Sequence, residues 1–183
     1  MSTNDRRLIE DFLPIKEISA EASREKSLRH GHISTLHLWW ARRPLVACRA
    51  AVYASLVPAD FHAPKNGPEN KRASLARANA AKFLKELCLY PGKPPKIEEA
   101  KQNILKAHFE RTGKKEPPKV LDCFAGGGAI PLEALRLGCE AYALELNPVA
   151  HLIELCTLVY PQKFGKPDPS SVGCEKRKWA GLA

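Results

Sequence analysis

The sequence predicts an α/β protein, in which a mostly helical N-terminal region leads into the opening strands of an incomplete, doubly wound parallel sheet. Three observations predict this. Residues 120–147 read as a short apolar run ending in an acid, three consecutive glycines, a helical stretch, a second apolar run and a second acid. The first 118 residues carry helical periodicity interrupted at proline-rich joints. After Tyr160 no apolar run of strand length follows.

From the N-terminus, Ser19 can cap a helix running through Arg29, which Gly31 stops, and Pro44 can open another through Val57, which Pro58 stops. Between them lies the segment HISTLHLWWARRP. Two adjacent tryptophans on a helix cannot both face one core. One of Trp39 and Trp40 is therefore expected to be buried and the other to present a flat face at a cleft, with Arg42 and Arg43 beside them suited to phosphate or carboxylate. Phe61 to Asn70, with Pro64, Gly67 and Pro68, reads as a surface loop. A third helical pattern runs from Lys71 to Leu89 with Leu75, Phe83, Leu84 and Leu87 on its apolar side, and Tyr90 to Pro95 breaks it. A fourth, Ile97 to Arg111, turns Ile104, Leu105 and Phe109 inward and ends at Gly113.

Val120 and Leu121 then lead into Asp122 as a buried strand would. Gly126, Gly127 and Gly128 allow a sharp turn and close approach of the backbone to a ligand. Ala129 to Leu137 follows as a helix, with Ile130, Leu135 and Leu137 near one stripe and Gly138 as its left-handed cap. The second strand ends at Glu145, and Asn147 caps a further helix with Pro148 at its first position. Leu152, Leu155 and Val159 continue an apolar face, and Pro161 is expected to end that helix. The organisation is thus a helical region over 1–118, half of a ligand-binding unit over 119–160 and an irregular tail over 161–183.

In sheets of this kind the ligand sits beyond the carboxyl ends of the strands, where the first strand-to-helix turn is glycine-rich and the second strand ends in a carboxylate. That order points to nucleoside binding. A dinucleotide fingerprint wants a further glycine where helix and strand pack closely, and Pro131 stands at that place. On these residues alone, a flavin- or nicotinamide-binding fold and a degenerate nucleotide fold stay open.

Asp122-x-Phe124-x-Gly126-x-Gly128 followed by Glu145 resembles the first two motifs of class I S-adenosylmethionine-dependent methyltransferases. The stretches Leu13 to Ser19, Ser23 to Lys26 and Arg29 to Leu45 look like the N-terminal region of bacterial and archaeal adenine-specific DNA methylases, known as domain of unknown function 1156. The resemblance covers about Leu13 to Val57 and again Val120 to Tyr160. It implies an incomplete Rossmann-like class I methyltransferase sheet and S-adenosyl-L-methionine as cofactor. Asp122 and the backbone of Phe124, Ala125, Gly126, Gly127 and Gly128 would hold its methionine end, Glu145 would accept from both ribose hydroxyls, and Asn147 would line the adenine pocket. The segment before the glycine loop often packs near the methionine end in such enzymes, which adds His37, Trp40 and Arg43 as candidates.

The implied chemistry is methyl transfer to an exocyclic amine of DNA, adenine N6 in this family. Such an amine is a poor nucleophile and needs alignment more than activation. The target base must leave the duplex. In amino-methyltransferases a D/N/S-P-P-aromatic tetrad after a later strand holds it, and this sequence has no such tetrad. Asp168-Pro169-Ser170-Ser171 lacks the second proline and the aromatic and reads as a turn. Two parallel strands cannot cover both faces of a sheet, and open α/β sheets usually have about five or more strands. The chain is therefore expected to be the N-terminal piece of a longer enzyme, inactive alone, with a complementary polypeptide as one source of the remaining sheet.

Composition constrains the rest. Lys+Arg 29 against Asp+Glu 20 gives net +9, which favours an anionic partner such as nucleic acid and equally suits a basic protein without one. A non-catalytic nucleic-acid-binding module and an oxidoreductase fragment remain alternatives, and RNA or protein could replace DNA. The six cysteines contain no C-x-x-C pair and no secretory leader precedes them, so they read as reduced. No stretch reaches the roughly 18 apolar residues of a membrane span, and the cytoplasm is the expected location. His30-Gly31-His32 lacks ligand partners at metal spacing and reads as polar residues in a turn.

Overall fold

The computed structural model describes residues 5–28, 30–64 and 71–165. The protein is mixed α/β and mostly helical, with one two-stranded parallel sheet among the described residues. Among the described residues five α-helices precede the sheet: α1 (Leu8–Asp11), α2 (Ile15–Ser27), α3 (Leu45–Leu56), α4 (Arg72–Leu87) and α5 (Pro94–Thr112). Helix α3 is the hub. Leu45, Val46, Cys48, Arg49, Ala50, Val52, Tyr53 and Ala54 are all buried, so it is covered on nearly every side, as a helix that is apolar all round must be. It touches α1, α2, α4, α5 and the later α6 (Ala129–Arg136).

Several boundaries differ from the sequence reading for local reasons. Helix α2 starts at Ile15, just after Pro14, and not at Ser19, because Ile18, Ala22 and Glu25 form one buried stripe that needs the earlier turn. Helix α5 starts at Pro94, whose fixed φ suits a first helical position, and ends at Gly113 in the left-handed conformation. Leu75 and Phe109, expected inward, are 39% and 47% exposed, because alanines take the tight contacts: Ala76 and Ala80 on α4, and Ala100 and Ala107 on α5. Phe61 and His62, expected in a surface loop, pack inward. Phe61 lies against the main core and the His62 ring sits 5.0 Å from that of Phe83. Residues 65–70 of that loop lie outside the described residues, as do Asp168 to Ser171 and the rest of the tail beyond 165.

Strands β1 (Lys119–Asp122) and β2 (Glu140–Ala143) pair in parallel, Val120 opposite Ala141 and Asp122 opposite Ala143, with α6 as the crossover. One face of this sheet packs inward through Val120 and Ala141, against a core that also holds Leu8, Tyr53, Leu84, Ile104, Leu137 and Cys139. The apolar core is therefore continuous across residue 118. The opposite face carries Leu121 and Tyr142, 63% and 45% exposed.

After β2, α7 (Pro148–Glu154) runs through a π-helical turn (Leu155–Val159) into α8 (Tyr160–Phe164). Pro161 does not stop this helix. The widened turn resets the hydrogen-bond ladder, so Pro161 falls in the first turn of α8, where an N–H would have had no partner. Leu152, expected on the apolar face, is 57% exposed, and Ala150, Glu154, Thr157 and Leu158 are buried instead.

Candidate functional site

The glycine loop is built at the carboxyl end of the sheet. Leu144 N–H donates to Asp122 C=O (2.9 Å) and Ala125 N–H donates to Leu144 C=O (3.2 Å), which extends the pairing past both strands. Gly126 and Gly128 then take φ +54° and +74°, where side chains are strained, and Gly128 serves as the N-cap of α6. The acid two residues past β2 folds back onto this turn. Glu145 Oε2 accepts from Gly126 N–H (2.7 Å) and Oε1 from Asn147 N–H (3.0 Å). These donors, Asn147 first, hold its carboxyl below the usual range. Asp122 Oδ1 accepts from Phe124 N–H at 3.1 Å. Asn147 spends its side-chain oxygen on the Val149 N–H (2.9 Å), capping α7.

A strap formed by residues 36–44 crosses the loop. Trp39 is the residue that meets it: a Cβ added to Gly126 would stand 3.0 Å from the indole Nε1, and one added to Gly127 3.4 Å from Cδ1. Asp122, Phe124, Gly126 and Glu145 face Trp39, Arg42 and Arg43 across a cavity of about 420 Å³, with Ala125, Gly127, Ala129, Ile130 and Ala41 completing the wall. This is within the range of roughly 300–1,000 Å³ common for small-molecule sites.

Of the residues the sequence singled out, Asp122, Phe124, Ala125, Gly126, Gly127, Glu145 and Arg43 are brought together around this cavity. Gly128 lies beneath it, against Leu158, where an added Cβ would meet a methyl at 3.2 Å. Asn147, His37 and Trp40 are not in the wall. Trp40 is 87% exposed and lies outside Trp39, their rings 6.0 Å apart and 13° from parallel. Trp39 and Arg42 take the inner positions. Adjacent residues of like type carry no periodic signal that tells which one turns inward.

The strap is anchored by a buried carboxylate. Glu25 accepts from the Leu45 and Val46 N–H groups (2.9 and 3.0 Å), and so caps α3 at its positive end. It also pairs with Arg42 (3.1 Å) and His32 Nε2 (3.1 Å). His32 is not merely a polar turn residue. It is 2% exposed, and burial first, then the Arg42 charge, depress its pKa. One guanidinium nitrogen of Arg42 is buried without a hydrogen-bond partner among the described residues.

A second buried pair fixes the loop's helix to the hub. Arg49 on α3 donates to both carboxylate oxygens of Glu133 on α6 (2.6 and 3.2 Å), and both side chains are fully buried. The same guanidinium donates to the carbonyls of Leu87 (2.9 Å), Leu89 (3.1 Å) and Pro91 (2.9 Å). Beneath the loop, Glu154 is buried and its pKa is raised by desolvation and then by the nearby Glu145 charge. No metal-ligating cluster of three acidic, histidine or cysteine residues exists among the described residues, and no helix there is long and apolar enough to cross a membrane.

Residues 12–83 match a family model described as a protein of unknown function, DUF1156. The match takes in α2, α3, the strap and most of α4. The glycine loop and both strands lie beyond it. No curated protein and no solved structure matches the chain.

Proposed function

We propose that this chain is the cofactor-binding part of an S-adenosyl-L-methionine-dependent DNA methyltransferase, adenine N6 being the target, built on the first two strands of a Rossmann-like sheet. The observation that carries the reading is the convergence of Asp122 and Glu145 on one cavity, at the glycine turn between two parallel strands. The residues suit the cofactor in charge and in hydrogen-bonding capacity. An ionised carboxylate offers about four acceptor sites. On Glu145, Gly126 and Asn147 N–H groups take two of these, which leaves two for a pair of ribose hydroxyls. Asp122 uses one oxygen on Phe124 and keeps acceptor capacity for an ammonium. Arg42 faces these acids across the cavity and complements a carboxylate.

Bound there, S-adenosyl-L-methionine would supply an electrophilic methyl group on a sulfonium. This chain's residues would grip its two ends, and Trp39, lying against the loop, would shield it from water. The residues that would hold the target amine are not in this sequence, so the chain alone is expected to bind cofactor weakly and to methylate nothing. DNA would be engaged through the complete enzyme, whose remaining strands a continuation of the chain or a complementary polypeptide would supply. Calorimetry with S-adenosyl-L-methionine on wild type and Glu145→Ala tests the reading. Binding by wild type that is lost on removal of the carboxylate supports it, and equal binding by both removes Glu145 from the site. Stabilisation by a nicotinamide or flavin dinucleotide instead would favour an oxidoreductase.

A further inference from the structure

The geometry points to Trp40 as a stacking platform for an unpaired base of a DNA strand next to Trp39 of the cavity wall, with Arg43 meeting an adjoining phosphate. The inference rests on the methyltransferase reading for its occupant and on four features of the strap. Trp40 is 87% exposed, an unusual position for the largest apolar side chain, which normally finds cover. Its ring is held by backing: Trp39 meets the Gly126–Gly127 turn with its pyrrole edge, and its ring lies nearly parallel to that of Trp40, 6.0 Å away. The segment that carries both rings is tied down by the Arg42–Glu25 pair, so the platform is presented on a fixed strap. Finally, no Asp or Glu occurs between Lys26 and Ala59, while Lys26, Arg29, Arg42, Arg43 and Arg49 do.

The ligand class follows from this chemistry. A flat, exposed indole binds any base through its π-face, and such stacking contributes about 1–3 kcal/mol per base. Arg42 is engaged by Glu25 and Arg49 by Glu133, so Arg43, exposed and at the cavity edge, is the cation placed to meet a phosphate. A protein partner would find Trp40 too, but a strap free of carboxylates in a chain of net charge +9 favours a polyanion. A base stacked there would stand beside the cavity that the proposed methyl donor occupies. This strap thus contributes to target binding from the helical side of the site.

The test is fluorescence anisotropy with a labelled 12-residue oligothymidylate at low salt, on the purified protein and on Trp40→Leu, Trp40→Phe and Arg43→Gln. Trp40→Leu is expected to weaken binding about tenfold and Trp40→Phe about threefold or less. Arg43→Gln should lower the slope of log affinity against log salt by about 0.7, the single-strand value for one phosphate. An abasic strand of equal length should bind weakly and respond to Trp40→Leu hardly at all. Far-ultraviolet circular dichroism checks that the variants fold, as substitutions at an exposed side chain should. Equal binding of oligothymidylate by wild type and Trp40→Leu, a loss in Trp40→Phe as large as in Trp40→Leu, or no binding of DNA by wild type would overturn the platform. A preference for an equal-length oligouridylate would replace DNA by RNA and likewise overturn it as stated. Cofactor calorimetry on the same samples separates the two ideas. Cofactor binding without Trp40-dependent DNA binding removes only the platform, and the reverse removes only the methyltransferase reading.

Discussion

The Arg49–Glu133 pair is the joint between the helical region and the glycine-loop helix, and its removal should cost more than any apolar truncation of comparable size. Both side chains are fully buried, with Nε to Oε2 at 2.6 Å and a second bond at 3.2 Å. Removing one partner from such a pair strands the other charge, at about 3–5 kcal/mol. Arg49→Met would also leave the Leu87 and Leu89 carbonyls without this donor, at about 1 kcal/mol each, while the Pro91 carbonyl keeps Arg136 (2.7 Å). Together these approach the whole stability of an ordinary domain, about 5–15 kcal/mol, so Arg49→Met should be largely unfolded at 25 °C. The measurable variant is Glu133→Gln. It keeps one oxygen that can take the place of Oε1, which accepts from both Arg49 and Arg136 (3.2 and 2.9 Å), but turns an amide N–H toward the Arg49 Nε–H and removes the negative charge between them. We expect Glu133→Gln to lower the urea-unfolding free energy by about 2–4 kcal/mol, with an unchanged denaturant slope. A loss under about 0.5 kcal/mol would refute the reasoning, because it would mean the buried Arg49 charge needs no carboxylate.

The remaining predictions concern the loop and the buried histidines. Gly126→Ala forces a Cβ to within 3.0 Å of Trp39 at a positive φ, and should weaken cofactor binding more than tenfold with a stability loss of about 1–2 kcal/mol. Gly113→Ala is strained alike at φ +70° but has open space, so calorimetry that finds both variants equally impaired would argue against crowding at the loop. His32 and His62 have pKa values lowered by burial, so the unfolded chain takes up protons near pH 6.5 before the folded one does. Stability should thus be full above about pH 7.5 and fall on acidification from there through about pH 6, with a slope of at most about 1.4 kcal/mol per pH unit for each proton. His32→Gln should flatten the profile, and urea midpoints in wild type that are constant or rise on acidification would count against it.

What the sequence made legible, and what it hid, follows the range of the interactions. The strand, glycine turn, helix and second strand were readable because each signal is local: a short apolar run, residues free of Cβ at Gly126 and Gly128, and an Asn147-Pro148 helix start. The run is not buried as a whole, since Leu121 faces outward. The contacts that set the loop in place are not local. Glu25 reaches Leu45 and Val46 across about twenty residues, and Arg49 reaches Glu133 across 84. No periodicity reports such partners. A weaker signal was nonetheless present. Arg49 is the sole charge in the run VACRAAVYA, and Glu133 stands in AIPLEALRL with only Arg136 three residues on, both in helices too apolar to leave one side in water. A charge in that setting must be paired or removed from the protein's interior, and the two are of opposite sign. Reading them as one pair places α3 against α6, which puts the strap just before α3 beside the turn just before α6. That single inference joins the segment matched by the family model to the glycine loop outside it. It also makes the cavity a product of both, so the helical region cannot be separated from the loop without dismantling the site.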